Sequence, residues 1–112
     1  MVKCSEPELD RVFGALADPT RRDLIASLSR GERSVTELAE PLDMSMPAVM
    51  KHLTVLERAG LMEGRKTGRV RICSFRSEPL READAWLAQY ERFWSSTLDS
   101  LSGYLEKREQ TE

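Results

Sequence analysis

The chain has 112 residues, of which 40% are hydrophobic and 32% are charged, and its formal net charge is −2. This length suits one compact domain, and the composition is typical of a soluble globular protein. No apolar run reaches the ~18–20 residues that a membrane-spanning helix needs. The first residues, MVKCSEPELD, lack the apolar core of a signal peptide, so we expect a cytoplasmic protein without a membrane partner.

The small net charge hides an uneven distribution along the chain. Residues 1–44 carry a charge of −3 and residues 77–112 a charge of −4, whereas residues 45–76 contain seven Lys/Arg and two Asp/Glu, a charge of +5. A phosphate backbone responds to the local field and not to the total charge. The middle third is therefore the candidate for contact with nucleic acid.

Three amphipathic helices are predicted before this basic segment, at about 6–17, 19–29 and 35–41. Their starts are marked by Asp18 before Pro19, by Ser5 near Pro7, and by Ser34 with Glu37 as a capping box. Apolar residues recur at helical spacing and are expected to face a core. They are Leu9, Val12, Phe13, Leu16, Leu24, Ile25, Leu28, Val35, Leu38 and Leu42.

The stretch from Ser45 to Gly60 predicts a fourth helix, which the rest of the chain would present. Ser45 is its N-cap, Gly60 ends it, and one face carries Val49, Leu53 and Leu56. The first three turns of the opposite face carry basic and soft apolar groups and no acid, a pattern that favours contact with phosphates and base edges. With the short third helix it forms a helix-turn-helix over about 34–60.

After Gly60 the period changes to that of a β-hairpin, over about 61–76. Its strands are predicted at Leu61–Lys66 and Arg69–Arg76, around a Thr67-Gly68 turn. Val70 and Ile72 alternate with Arg69 and Arg71, so one face of the second strand is apolar and the other basic. Beside the basic face of the fourth helix, this hairpin is predicted to be a DNA-contacting wing; the alternative is a solvated charged hairpin.

The last segment predicts a single long helix over about 78–108, starting near Ser77. Its apolar positions follow alternating steps of three and four, and its apolar face is longer than the preceding residues can cover. We expect a second copy of the chain to cover it, with the Trp86/Trp94 pair in the dimer core; a helix folded over its own chain is the alternative. The candidate interface residues are Leu9, Leu87, Tyr90, Trp94 and Leu101.

Four strings give the chain its resemblance to bacterial ArsR-type winged-helix repressors: FGALADPTRR at 13–22, SVTELA at 34–39, residues 45–61, and GRV at 68–70. The fold class is then a winged helix-turn-helix, mainly α with a small β-hairpin, in a single domain over residues 1–112. The resemblance implies a homodimer that binds an inverted-repeat operator in double-stranded DNA near its own promoter. It also implies repression of transcription until a signal releases the DNA.

The family's contact pattern transfers onto the fourth helix and the wing, except at two positions. Met46 and Met50 stand where relatives usually carry Gln and Ser, and they cannot make bidentate contacts to adenine but could pack against thymine methyl groups. We expect His52 to contact a phosphate, one of Arg21 and Arg22 to do the same, and the other to anchor an acid such as Asp18. The predicted DNA-binding residues are Ser45, Met46, Pro47, Met50, Lys51, His52, Thr54, Arg65, Lys66, Arg69 and Arg71.

The residues for a metal site of the family's familiar kinds are missing. Metal-sensing relatives carry Cys-x-Cys in the third helix, where this chain reads Ala39-Glu40-Pro41, or ligands such as histidine along the last helix, which has no histidine. We therefore expect no metal site and no cofactor. We also expect no catalytic residues, because the sequence has no nucleophile–base pair, paired carboxylates or phosphate loop. Two alternatives stay open: a thiol- or metalloid-responsive repressor that uses Cys4 and Cys73, and a winged helix that binds only protein.

Overall fold

The computed structural model of the chain describes residues 6–91, 101, 103 and 105. The elements in chain order are α1 (Glu6–Leu16), α2 (Pro19–Ser29), β1 (Arg33–Ser34), α3 (Val35–Ala39), α4 (Met46–Arg58), β2 (Met62–Thr67), β3 (Val70–Phe75) and α5 (Glu78–Ala88). Both β1 and β2 pair antiparallel with β3, which gives a three-stranded sheet in the order β1-β3-β2. The predicted winged helix-turn-helix is confirmed, with β1 as a strand that the sequence did not indicate. Within the described part of the chain, no helix is both long enough and apolar enough to cross a membrane.

The helix starts follow the capping signals at three of the predicted places. Asp18 and Ser45 each accept the backbone N–H three residues ahead, at 3.1 and 3.3 Å. Ser34 and Glu37 form the reciprocal capping box. Ser77 directly precedes α5, as predicted, but its backbone is already helical (φ −87°, ψ −13°) and its hydroxyl makes no cap bond.

Helix α4 ends in a Schellman motif, which fixes the entry into the wing. The Gly60 N–H donates to the Glu57 carbonyl at 2.9 Å, and the Leu61 N–H donates to the Leu56 carbonyl at 3.0 Å. Gly60 has φ +76°, and a Cβ there would lie 3.2 Å from the Pro79 side chain. Any other residue would therefore be strained at this position.

The main core lies between α2, α3, α4 and the sheet, and a second cluster joins α1 to α5. The main core includes Leu24, Leu28, Leu38, Val49, Leu53, Leu56, Leu61, Met62 and Cys73. The second cluster consists of Leu9, Val12 and Ala83. Leu9, predicted at a dimer interface, is instead buried within its own chain because α5 packs over it. Phe13, predicted to face inward, is 36% exposed, whereas Ala15 on another side of α1 is fully buried.

The wing is a tight hairpin whose turn consists of Gly68 and Arg69, one residue later than predicted. Thr67 pairs with Val70 across the turn, and Gly68 has φ +64°, as the first position of a type II′ turn requires. The predicted division of β3 into an apolar and a basic face is wrong, because the buried residue is Cys73, on the same strand face as Arg71, while Val70 is 47% exposed.

Helix α5 is shorter than the single helix predicted over 78–108. The Gln89 and Tyr90 N–H groups donate to the carbonyls of Trp86 and Leu87 at 3.2 and 3.0 Å, and these three-residue spacings tighten and end the helix. Its N-terminal half packs on α1. This packing agrees with the alternative prediction, in which the helix folds back over its own chain. Residues 91, 101, 103 and 105 are helical, and the other positions of the predicted helix, among them Trp94, lie outside the described residues.

Candidate nucleic-acid interface

The exposed side of α4 carries the residues that the sequence assigned to DNA. Because a helix turns 100° per residue, the burial of Val49, Leu53 and Leu56 leaves Pro47, Lys51 and Thr54 on the opposite side. All three outer residues are exposed. The Thr54 hydroxyl donates to the backbone carbonyl one turn earlier at 2.9 Å, so its oxygen is left as an acceptor. Ser45 remains the N-cap beside the first turn.

His52 faces α2 on the flank of α4. Its Nδ1 lies 3.2 Å from Nη1 of Arg21 and 4.0 Å from Oδ1 of Asp18. A guanidinium has no acceptor, so Nδ1 accepts this hydrogen bond and the proton of the neutral ring is on Nε2. The predicted phosphate contact is thus restricted to Nε2, and the residue also ties α4 to the start of α2.

Arg21 and Arg22 hold the end of α1, which corrects the roles predicted for them. Arg21 donates from Nε and Nη2 to two of the last carbonyls of α1 at 2.9 and 3.0 Å, and Arg22 donates from Nη1 to a third at 2.7 Å. Carbonyls at a helix end have no partner within the helix, so these bonds satisfy them. Neither guanidinium anchors Asp18, and both are occupied by backbone carbonyls.

Asp18 is bound through the backbone instead. The Arg21 N–H that its carboxylate accepts is the main reason why the pKa of Asp18 lies below its usual value. A lowered pKa means that the folded state binds the proton more weakly than the unfolded chain does. The contribution of this cap to stability is therefore complete at neutral pH and is lost as the pH falls through the carboxyl range.

Arg21→Ala should lower the free energy of unfolding by about 2 kcal/mol, because two helix-end carbonyls and a histidine lose a charged donor. Urea unfolding followed by circular dichroism measures the difference. Arg30→Ala is the matched control, since Arg30 is exposed and its side chain makes no hydrogen bond within the described residues. Equal losses in the two variants would contradict the role given to Arg21.

The cations of the wing fall into two kinds. Arg65 makes a bidentate ion pair with Glu32, with Nη2 at 3.0 Å from Oε1, and Nη2 of Arg71 lies 3.0 Å from Oε2 of Glu57. The hydrogen bond from Arg65 holds the pKa of Glu32 below its usual value. Lys66 and Arg69, by contrast, make no ion pair with any residue that the structure describes. Two of the four predicted wing contacts therefore have acidic partners that the sequence did not indicate.

Helix α4 and the wing line one concavity together with the start of α3. Met46 and Met50, which were both predicted to contact DNA, lie on this surface. They share it with the wing residues Arg69 and Arg71. Its lining residues are Ser34, Val35, Thr36, Met46, Met50, Arg69, Val70 and Arg71. Residues from the helix and from the hairpin can therefore meet one ligand at the same time.

A second candidate surface lies on α1 and α5 and carries aromatic residues. The Trp86 ring lies 5.8 Å from that of Phe13 and 5.3 Å from that of Tyr90, both in edge-on geometry. Tyr90 is 44% exposed and Leu87 is half-buried, while Leu101 is 53% exposed. These are the predicted interface residues that remain available to a partner.

Cys73 is fully buried on the core face of β3. This burial raises the pKa of its thiol, and a buried neutral thiol is a poor nucleophile and a poor ligand. Cys4 lies outside the described residues. No group of three or more His, Cys, Asp or Glu side chains in residues 6–91, 101, 103 and 105 could hold a metal ion.

We expect Cys73 to react with DTNB only after unfolding, since the thiolate is both shielded and disfavoured. The Cys4→Ser variant isolates this thiol, and its rate at pH 8 should fall at least a hundredfold below the rate in 6 M guanidinium. Rapid reaction in native buffer would restore the thiol-responsive alternative.

Comparison with known proteins first identifies the class of protein to which the chain belongs. Residues 16–65 match the family model described as a helix-turn-helix domain, a span that holds α2, α3, α4 and the first wing strand apart from its last two residues. The chain is 40% identical over 95 residues to the HTH-type transcriptional regulator Rv2034 of Mycobacterium tuberculosis, covering 85% of this chain and 83% of that protein. It is 27% identical over 82 residues to the transcriptional repressor SdpR of Bacillus subtilis, covering 73% of this chain and 91% of that protein.

The solved structures narrow the class to a family. The crystal structure of the ArsR family transcriptional regulator RHA00566 superposes with a TM-score of 0.78 at 45% identity, covering 86% of this chain and 98% of that one. The chain belongs to the ArsR family of winged helix-turn-helix transcriptional regulators. It is a DNA-binding regulator of transcription and not an enzyme.

Proposed function

We propose that two copies of this chain bind an inverted-repeat operator in double-stranded DNA and repress transcription from the promoter that they cover, in the cytoplasm. The residues that would contact the operator are those of the outer side of α4 and of the wing. Lys51, Lys66 and Arg69 would neutralise phosphates, and the first turn of α4 would meet base edges.

The observation that carries this proposal is that α4 and the wing line the same concavity. A recognition helix alone is common in proteins that bind no DNA, and so is a charged hairpin. Here Met46 and Met50 share a surface with Arg69 and Arg71, and all four lie within residues 45–76, which carry a net charge of +5. Such a joined basic surface favours DNA over a protein partner.

The exposed apolar side chains of the last described residues support a dimer. Leu101 and Leu105 are 53% and 52% exposed within one chain. The radius of gyration is 19.3 Å, against ~13 Å for a compact chain of this length. An elongated chain with exposed leucines gains stability when a second copy covers them.

Repression would then be steric. In a symmetric dimer, two copies of α4 enter successive major grooves about 34 Å apart on one side of the duplex. Such a complex occupies the DNA that RNA polymerase needs. No chemical step is required, and release of the dimer restores transcription.

The test is a salt titration with DNA from upstream of the chain's own gene. About 6–10 phosphate contacts predict a log–log slope of about −5 to −9 for the binding constant against salt. Footprinting on the same DNA should reveal two protected half-sites related by inversion, and transcription in vitro from that promoter should fall. Binding that does not depend on salt would contradict the proposal, as would a single protected half-site.

A further inference from the structure

The concavity between α3, α4 and the wing has an apolar floor in the middle of a basic surface. Met46 is 44% exposed and Val70 is 47% exposed, although both are large apolar side chains. Met50 lies one helical turn from Met46 and packs against the core beneath it. Arg69 and Arg71 line the same concavity.

Exposed apolar side chains at this place cannot bind a phosphate. The cations beside them attract a polyanion, and they bring whatever lies within its groove against the methionines. Among the groups at the edges of base pairs in the major groove, only the 5-methyl group of thymine is apolar. The chemistry of the floor therefore matches one feature of DNA.

The position of Met46 places it where bases are read. It is the first residue of α4, directly after the N-cap Ser45. In helix-turn-helix proteins the N-terminal residues of the recognition helix contact base edges, whereas later turns move away from the groove floor. Met50, half-buried, lines the same concavity from α4, and Val70 lines it from the wing.

We infer that Met46, supported by Met50 and Val70, forms a site that selects thymine by its 5-methyl group. This inference rests on the proposed function, because it assigns a base preference to the same surface. Sequence preference at this point then comes from apolar contact and not from hydrogen bonds. Each methyl group that is withdrawn from such a contact weakens binding about fourfold.

The test compares one duplex in two chemical forms. A duplex selected from a random library for binding to the full chain is synthesised once with thymine and once with deoxyuridine at every thymine position, which removes only the methyl groups. A dimer that reads one methyl group per half-site should bind the deoxyuridine form about fifteenfold more weakly.

Substitutions of Met46 test whether this residue contacts the thymine methyl group. Met46→Gln should reduce the ratio between the two duplexes to about one, and Met46→Leu should retain most of it. Val55→Gln is the matched control, because Val55 is also exposed on α4 but lies on the opposite side of the helix from Met46. It should leave the ratio unchanged.

The possible failures are distinct. If no duplex is bound from the library, the proposed function itself is wrong. If both forms bind equally well, the chain binds DNA but the methyl-reading site is overturned. A ratio that survives Met46→Gln would overturn the assignment to Met46.

Discussion

Arg69→Ala should weaken binding to duplex DNA roughly sixtyfold at 0.1 M salt and make the log–log salt slope less negative by about 1.8. Arg69 sits at the tip of the wing, is exposed, and makes no ion pair within the described residues, so its charge is free to meet a phosphate. A dimer loses two such contacts, each worth about 0.9 in the slope. Fluorescence anisotropy with a labelled duplex at several salt concentrations measures both quantities.

Specific and unrelated duplexes should be affected alike, because phosphates carry no sequence information. Arg81→Ala on α5 is the matched control, since it removes the same charge from an exposed position outside the wing. It should change the affinity by less than about twofold. A change in the preferred sequence after Arg69→Ala would mean that Arg69 reads bases.

The double variant Leu101→Glu/Leu105→Glu should convert the proposed dimer to a folded monomer. Both leucines are more than half exposed within one chain, so the fold of that chain does not depend on them. A symmetric interface would have to bury four carboxylates, and the removal of each unpaired carboxylate from water costs on the order of several kcal/mol. Light scattering and sedimentation measure the mass, and circular dichroism verifies that the helices persist.

Leu9→Ala gives the opposite result and serves as the control. Leu9 is buried against Val12 and Ala83 of its own chain, so its truncation should lower the free energy of unfolding by about 2–5 kcal/mol. It should leave the mass of the folded protein unchanged. Persistent dimers in the double variant would place the interface on another surface.

The fold could be predicted from the sequence wherever local chemistry decides it. Asp18, Ser34 and Ser45 cap helices by contacts within three residues, and Gly60 ends α4 by its own backbone. The strand β1 and the end of α5 at Ala88 could not be predicted. A two-residue strand exists only because β3 lies beside it, and the last turn of α5 tightens without any Gly or Pro to signal it.

The candidate site was predictable as a set of residues but not as a set of partners. The basic segment and the exposed side of α4 follow from charge and period alone. The ion pair between Glu32 and Arg65, and the contact of His52 with Arg21, join residues more than thirty positions apart. Only the folded chain brings them together, so no local pattern indicates which cations are already occupied.

The two acidic partners of the wing arginines have a consequence for how the regulator leaves DNA. When Arg65 or Arg71 turns to a phosphate, Glu32 or Glu57 stays behind as an unpaired carboxylate close to the duplex. Each freed carboxylate binds a counterion from solution, and this uptake offsets one of the counterions that the DNA releases on binding. Each carboxylate also pairs again with its arginine whenever the contact between that arginine and the phosphate breaks. We expect a complex that is less sensitive to ionic strength than its number of cations suggests, with a short residence time on DNA.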